Sequence, residues 1–187
     1  AASSSAIGIF SHAGQVCSAQ SRLVVHRSVH DEVVDRLAEK ARALSIGPGI
    51  DGHDLGPLIS APQLDKVEGF ALAGSQAGAT AVTGGRRVDD QAGHFMQPTV
   101  FTGVTPDMTI AREEIFGPVV SVLPFDDDEE AIEIANGTDF GLVAGIYTRD
   151  LDRAHQTADR LSAGQVFVNE WFAGGVETPF GGTKRSG

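Results

Sequence analysis

Apolar positions recur along this chain at two spacings, and the two spacings alternate. Short β-branched runs bounded by polar residues predict strands at 21–27 ("SRLVVHR"), 79–85 ("ATAVTGG"), 119–125 ("VVSVLPF"), 142–149 ("LVAGIYTR") and 164–170 ("GQVFVNE"). Helical spacing takes over between them. Val29, Val33, Leu37, Ala41 and Leu44 predict an amphipathic helix of about four turns. Ser28 reads as its N-cap, with Asp31 three residues on as a short variant of the capping box. A second helix is expected from Ala61, with Leu64, Val67, Ala71 and Leu72 on one face. "DDDEEAIEIAN" (126–136) places acids in a first helical turn, where the helix dipole favours them. "DLDRAHQTADRLS" (150–162) carries Leu151, Ala154, Ala158 and Leu161 on its face. The first dozen residues read as the end of a helix, and 45–60 as a long Gly/Pro loop.

From 119 to 170 the order is strand, helix, strand, helix, strand with short connections. That order predicts right-handed βαβ crossovers and a parallel sheet. The expected fold class is α/β, three layers, with a mostly parallel sheet flanked by helices. Sites in such sheets form at the carboxyl ends of strands, which directs attention to the loop after "GQVFVNE".

Composition narrows the partners. The 187 residues carry a formal net charge of −11 and no block of Lys or Arg, which argues against nucleic acid and anionic membrane. No apolar stretch approaches the roughly 20 residues of a membrane span, and no signal-peptide pattern is present. One cysteine leaves no internal disulfide framework and fits a reducing compartment, so a cytoplasmic location is expected. The chain starts at Ala1 and stops inside "GGTKRSG", from which we expect a piece of a longer protein. Of the histidines, only His26 and His30 stand four apart, across a predicted strand–helix boundary. That spacing does not make a metal pair on one helix face, and no metal is expected. No G-x-S-x-G elbow and no G-x-G-x-x-G after a strand is present.

Three stretches remain as candidates for chemistry. In "AGQVCSAQSR" (13–22), Cys17 reads either as a buried small hydrophobe or as a nucleophile. Its small neighbours leave room for approach to the sulfur. Free N–H groups of a turn or helix start there would favour a thiolate and bond an oxyanion. In "REEIFGPVV" (112–120) the acids read either as an exposed pair, with Phe116 a core anchor, or as a carboxylate for a diol with Phe116 against a flat ring. Composition does not choose between them. In "ETPFGGTKRSG" (177–187) the two glycines suit close backbone approach, and a plain surface loop is the bland reading. The run Asp126–Glu130 reads as a solvated helix start.

Taken together, these stretches resemble the aldehyde dehydrogenase superfamily. "GQVCSAQSR" is similar to its nucleophile segment, "EEIFGPV" to its second signature, and "VNEWFAGGVETPFGGTKRSG" to its C-terminal catalytic stretch, with "GPLIS" and "FMQPTVF" between them in family order. The resemblance covers essentially all of 1–187. It implies that Cys17 is the catalytic nucleophile. Glu114 would hydrogen-bond the nicotinamide ribose and Phe116 would contact the nicotinamide side of the cofactor. Asn169 would stand beside the active site, Phe180 would line the aldehyde tunnel, and Trp171 and Phe172 would sit at its mouth.

The implied reaction is oxidation of an aldehyde to a carboxylic acid with NAD or NADP, through a thiohemiacetal and a thioester on cysteine. The resemblance further implies that 1–187 is the catalytic domain alone. The nucleotide-binding domain, the general-base glutamate and a C-terminal oligomerisation segment would lie outside this chain, and so would most of the cofactor site. The parent is expected to be a homodimer or homotetramer, and the isolated chain inactive. Two alternatives stay open: a superfamily member that passes the acyl group to coenzyme A or phosphate, and a non-catalytic interaction domain that kept the fold.

Overall fold

In the strand Val119–Phe125, five consecutive residues, Val119 to Leu123, are buried. A strand buried on both faces belongs at the centre of a covered, largely parallel sheet, and this one does. The computed structural model describes residues 1–171 and 175–187. Its helices are α1 (Ala2–Phe10), α2 (His30–Ala43), α3 (Ala61–Gln76), α4 (Thr109–Arg112), α5 (Asp128–Asn136) and α6 (Leu151–Ala158). Its strands are β1 (Arg22–His26), β2 (Thr80–Thr83), β3 (Thr99–Thr102), β4 (Val119–Phe125), β5 (Phe140–Gly141), β6 (Val143–Ile146), β7 (Gln165–Val168) and β8 (Thr183–Lys184). The main sheet has the order β1-β4-β3-β2, with β4 parallel to both neighbours and β2 antiparallel to β3. Leu23 pairs with Val122, and Val100 with Val120. The chain is thus α/β, with a mostly parallel sheet flanked by helices. No helix among the described residues is long and apolar enough to cross a membrane.

The core is one cluster. Val100, Phe101, Val119, Val120, Val122 and Leu123 of the sheet are at most 1% exposed. They pack with Leu37 and Ala41 of α2, Ile9 and Phe10 of α1, and Val67 and Ala71 of α3. Two polar side chains of the sheet are fully buried and both are paired: Ser121 donates its hydroxyl to the Ile110 carbonyl at 3.0 Å and Thr99 to the Gln97 carbonyl at 2.8 Å.

Helix ends follow the local chemistry. Ser60 accepts from the Gln63 N–H, Asp127 from Glu130 and Asp150 from Arg153. The acidic run opens α5 as expected and is also paired. Asp126 meets Arg27, Asp128 meets Arg153 and Glu129 meets Arg160. The other end of α5 is held by cations. Arg22 donates to the carbonyls of Ile134 and Ala135, and Lys184 to those of Asn136 and Thr138.

Several expectations need correction. Ser28 is not an N-cap. A 3₁₀ turn, Arg27–Val29, precedes α2, and the His26 ring accepts the Ser28 N–H at 3.2 Å. Leu72 and Leu151 share their helical faces in sequence only, being 58% and 69% exposed. The strand β3 lies in "PTVF", a run too short to carry a period. The three strands of 119–170 do not share one sheet. β6 and β7 pair in parallel with each other, while β4 pairs with β1 and β3. The C-terminal "GGTKRSG" is not all loop, since β8 pairs with β5.

Candidate active site

Cys17 is delivered by an unusual turn. After α1 the backbone of His12, Ala13 and Gly14 enters the left-handed region three times in succession, at φ 50°, 54° and 69°. An L-residue there costs roughly 1–2 kcal/mol. Packing holds the turn in place. Ala13 and Gly14 are buried, and a Cβ on Gly14 would collide with the Gly117 carbonyl. Gln15 then fastens the segment sideways, its side-chain oxygen accepting the Ile59 N–H at 2.9 Å. A turn closed by the Ala19 N–H on the Val16 carbonyl, 2.9 Å, places Cys17 and Ser18 at its centre. Cys17 is exposed, so it is not a core-filling thiol. No acceptor among the described residues takes its backbone N–H.

The second candidate stretch faces it. Ile115, 1% exposed, is the core anchor of "EEIFG" in place of Phe116, which is half-buried. Helix α3 holds the loop by its carbonyls. Lys66 Nζ donates to Glu114 O at 3.0 Å, and Gln63 Nε2 to Phe116 O at 2.8 Å. With the backbone so engaged, Phe116 adopts φ 59° and the Glu114 side chain stays exposed. Cys17, Glu114 and Phe116 line one cleft of about 790 Å³, which runs on between β1 and β6. The close contact of Gly14 with Gly117 sets the distance between its two facing walls.

The C-terminal stretch is placed differently. Asn169 ends β7 with its N–H on Ile146 O at 2.7 Å and φ 58°. Its amide brackets Thr148, accepting that residue's N–H at 3.0 Å and donating to its carbonyl at 2.9 Å. Trp171 reaches the turn that carries Cys17, its indole Nε1 donating to Ser18 O at 3.0 Å. Phe180 is 52% exposed, and neither it nor Asn169 nor Trp171 is among the residues lining the cleft of Cys17. Phe172 lies outside the described residues.

Sequence reasoning missed Gln15, Gln63 and Lys66. The last two stand three apart on α3, a helical spacing that marks one face but not what the face holds. A second signal exists only in the backbone. Among the described residues five non-glycine residues have positive φ, and all of them, His12, Ala13, Phe116, Asn169 and Lys184, lie in a candidate stretch or border one. Such conformations persist where surroundings over-determine them, commonly at functional sites.

A family model described as "Aldehyde dehydrogenase family" matches residues 1–187. "Aldehyde dehydrogenase, mitochondrial" of Leishmania tarentolae is 47% identical over 180 residues, covering 96% of this chain and 36% of that protein. "Betaine aldehyde dehydrogenase 1" of Rhizobium meliloti (strain 1021) is 49% identical over 184 residues, covering 97% and 38%. Among solved structures, the NAD+ complex of an aldehyde dehydrogenase from Bacillus cereus superposes with a TM-score of 0.95 at 44% identity, covering 98% of this chain and 38% of that one. The chain therefore spans well under half the length of the curated relatives it matches.

Proposed function

Because the chain belongs to the aldehyde dehydrogenase family, we propose that it is the nucleophile-bearing catalytic domain of an NAD(P)-dependent aldehyde dehydrogenase. The observation that carries this reading is the meeting of Cys17, Glu114 and Phe116, distant in sequence, in one cleft.

Cys17 attacks the aldehyde carbon as the thiolate. The new C–S bond places the charge on the former carbonyl oxygen. The Cys17 N–H, which no acceptor among the described residues takes, is available to that oxyanion, and losing such a donor costs roughly 10²–10³-fold. The residues fit a nicotinamide cofactor. Glu114 offers an exposed carboxylate, whose two oxygens would accept hydrogen bonds from the two hydroxyls of a ribose, and Phe116 offers a half-buried ring close by in sequence. When bound, the nicotinamide supplies the hydride acceptor that turns the thiohemiacetal into a thioester. Glu114 and Phe116 would hold and orient that end of the cofactor in the cleft that Cys17 lines. The base that activates water for thioester hydrolysis, and most of the nucleotide site, are assigned to parts of the enzyme outside 1–187.

The aldehyde is proposed to be of medium size, with an apolar, aromatic or quaternary-ammonium body. The support is Trp171 beside the nucleophile turn, together with the relatives named for betaine aldehyde. The test is NADH and NADPH formation by the full-length enzyme carrying this chain. The panel holds acetaldehyde, benzaldehyde and betaine aldehyde, with and without coenzyme A or phosphate. Turnover that disappears in Cys17→Ser is expected. Turnover that survives Cys17→Ser, or none with any aldehyde, would overturn the reading.

A further inference from the structure

We infer that Trp171 is a positioning residue for Cys17, acting through its indole N–H on the turn that carries the thiol. The inference rests on the proposal that Cys17 is the nucleophile, and it assigns Trp171 a task beyond lining a tunnel.

The peptide unit that joins Ser18 to Ala19 is bonded at both ends. Its N–H closes the turn on Val16 O at 2.9 Å, and its carbonyl receives the Trp171 Nε1–H at 3.0 Å. Both distances are those of ordinary N–H···O bonds. A peptide plane held at both ends cannot rotate without breaking one bond or the other. The Cys17 and Ser18 N–H groups have no acceptor among the described residues. The turn itself is closed by one backbone bond; the chain is next anchored at Gln20, whose N–H donates to Gly8 O at 3.1 Å, and the indole is the only side chain among the described residues that bonds the Ser18–Ala19 peptide.

Trp171 is itself prepared for this contact. Asn169 locks the end of β7 to Thr148 through both ends of its amide, and its φ of 58° turns the chain out of the strand. The Glu170 carboxylate then accepts the Trp171 backbone N–H at 2.9 Å. The backbone is fixed by its neighbour and the ring tip by Ser18. A residue serving only as an apolar wall needs neither bond. Ser18 is 7% exposed, so water does not readily replace the indole at this peptide.

Near-attack geometry tolerates little displacement, and a shift of about 1 Å can cost 10²-fold. Losing one neutral hydrogen bond should open the turn about fivefold more often. The test uses the full-length enzyme and two variants: Trp171→Phe, and a benzothienyl-alanine at 171 that keeps the bicyclic shape with sulfur in place of N–H. Two readouts apply, kcat and KM with propionaldehyde, which is too small to need a distant wall, and amide exchange of Ala19 by NMR or mass spectrometry.

Both variants should lower kcat by about fivefold to tenfold with KM within about twofold, and should speed Ala19 exchange about fivefold. Unchanged Ala19 exchange in the benzothienyl variant would overturn the inference, even if Trp171→Phe is impaired or fails to fold, because ring volume would then be the cause. A rise in KM for bulky aldehydes with kcat and exchange unaltered would assign Trp171 to the wall alone. Absence of aldehyde turnover in the wild type would instead sink the functional reading, and the exchange measurement would still decide the role of the indole.

Discussion

Replacing Gly14 by alanine tests whether the two facing loops are held apart by direct backbone contact. Two costs are expected. Gly14 has φ +69°, and a Cβ there would meet the Gly117 carbonyl closer than side-chain contacts allow. The left-handed backbone alone costs an alanine roughly 1–2 kcal/mol, and overpacking typically adds about 1–3 kcal/mol. The sum, about 2–5 kcal/mol, is a large part of a usual folding free energy of about 5–15 kcal/mol. Gly52 supplies the control, with φ +81° and nothing within 4 Å of its Cβ position. Gly52→Ala should show the backbone cost alone. Urea unfolding reads both. With a slope of about 2 kcal/mol per molar, Gly14→Ala should lower the midpoint by about 1–2.5 M and Gly52→Ala by about 0.5–1 M. Equal midpoints for the two variants would refute the contact, and with it the claim that Gly14 sets the width of the cleft.

Acid should destabilise the chain. Asp54 is held below its usual range by hydrogen bonds from Ser45, Glu68 by Arg87, Asp126 by Arg27 and Glu129 by Arg160. Carboxylates depressed in the folded state contribute stability above their unfolded values, about pH 4, and that contribution fades as pH falls through the folded ones. Tm should therefore be flat from about pH 5 to 8 and drop below about pH 4, with a smaller drop in Arg160→Gln; a Tm that rises on acidification would contradict this. Phe101→Ala, at a fully buried position of β3, should cost about 3–5 kcal/mol in the same urea assay, and a loss under 1 kcal/mol would mean the core has collapsed around it. Lys184→Met removes the cation from the end of α5 and should lower Tm by about 2 °C in calorimetry, an unchanged Tm showing that water replaces it freely.

What could be read from the sequence was whatever depends on local period. The unbroken apolar run of β4, the stripe of α2 and the acidic start of α5 each state their environment in a few residues. The stretch containing β3 is too brief for a period. Leu72 and Leu151 fit a helical period and still lie outside, since spacing marks a face without saying whether a neighbour covers it. Ser28 lost the capping place because the His26 ring, at the end of β1, accepts its N–H first. The proposed site divided along similar lines. Cys17, Glu114 and Phe116 were legible as residue types in ordered motifs. The left-handed turn at His12 and Ala13 was not, because neither residue favours that conformation and the cause lies far along the chain, at Gly117. Gln63 and Lys66 were illegible for the same reason, their targets being carbonyls rather than side chains.

The left-handed residues also set a limit on how this protein can be improved. His12, Ala13 and Phe116 each hold a conformation that glycine would adopt without penalty. A library screened for heat resistance alone would find gains there, as in proteins generally, where stabilising changes are plentiful. Those gains would accumulate around the thiol and the loop facing it. Thermal selection on an enzyme carrying this chain is therefore expected to trade the turnover proposed above for Tm unless activity is screened in the same round.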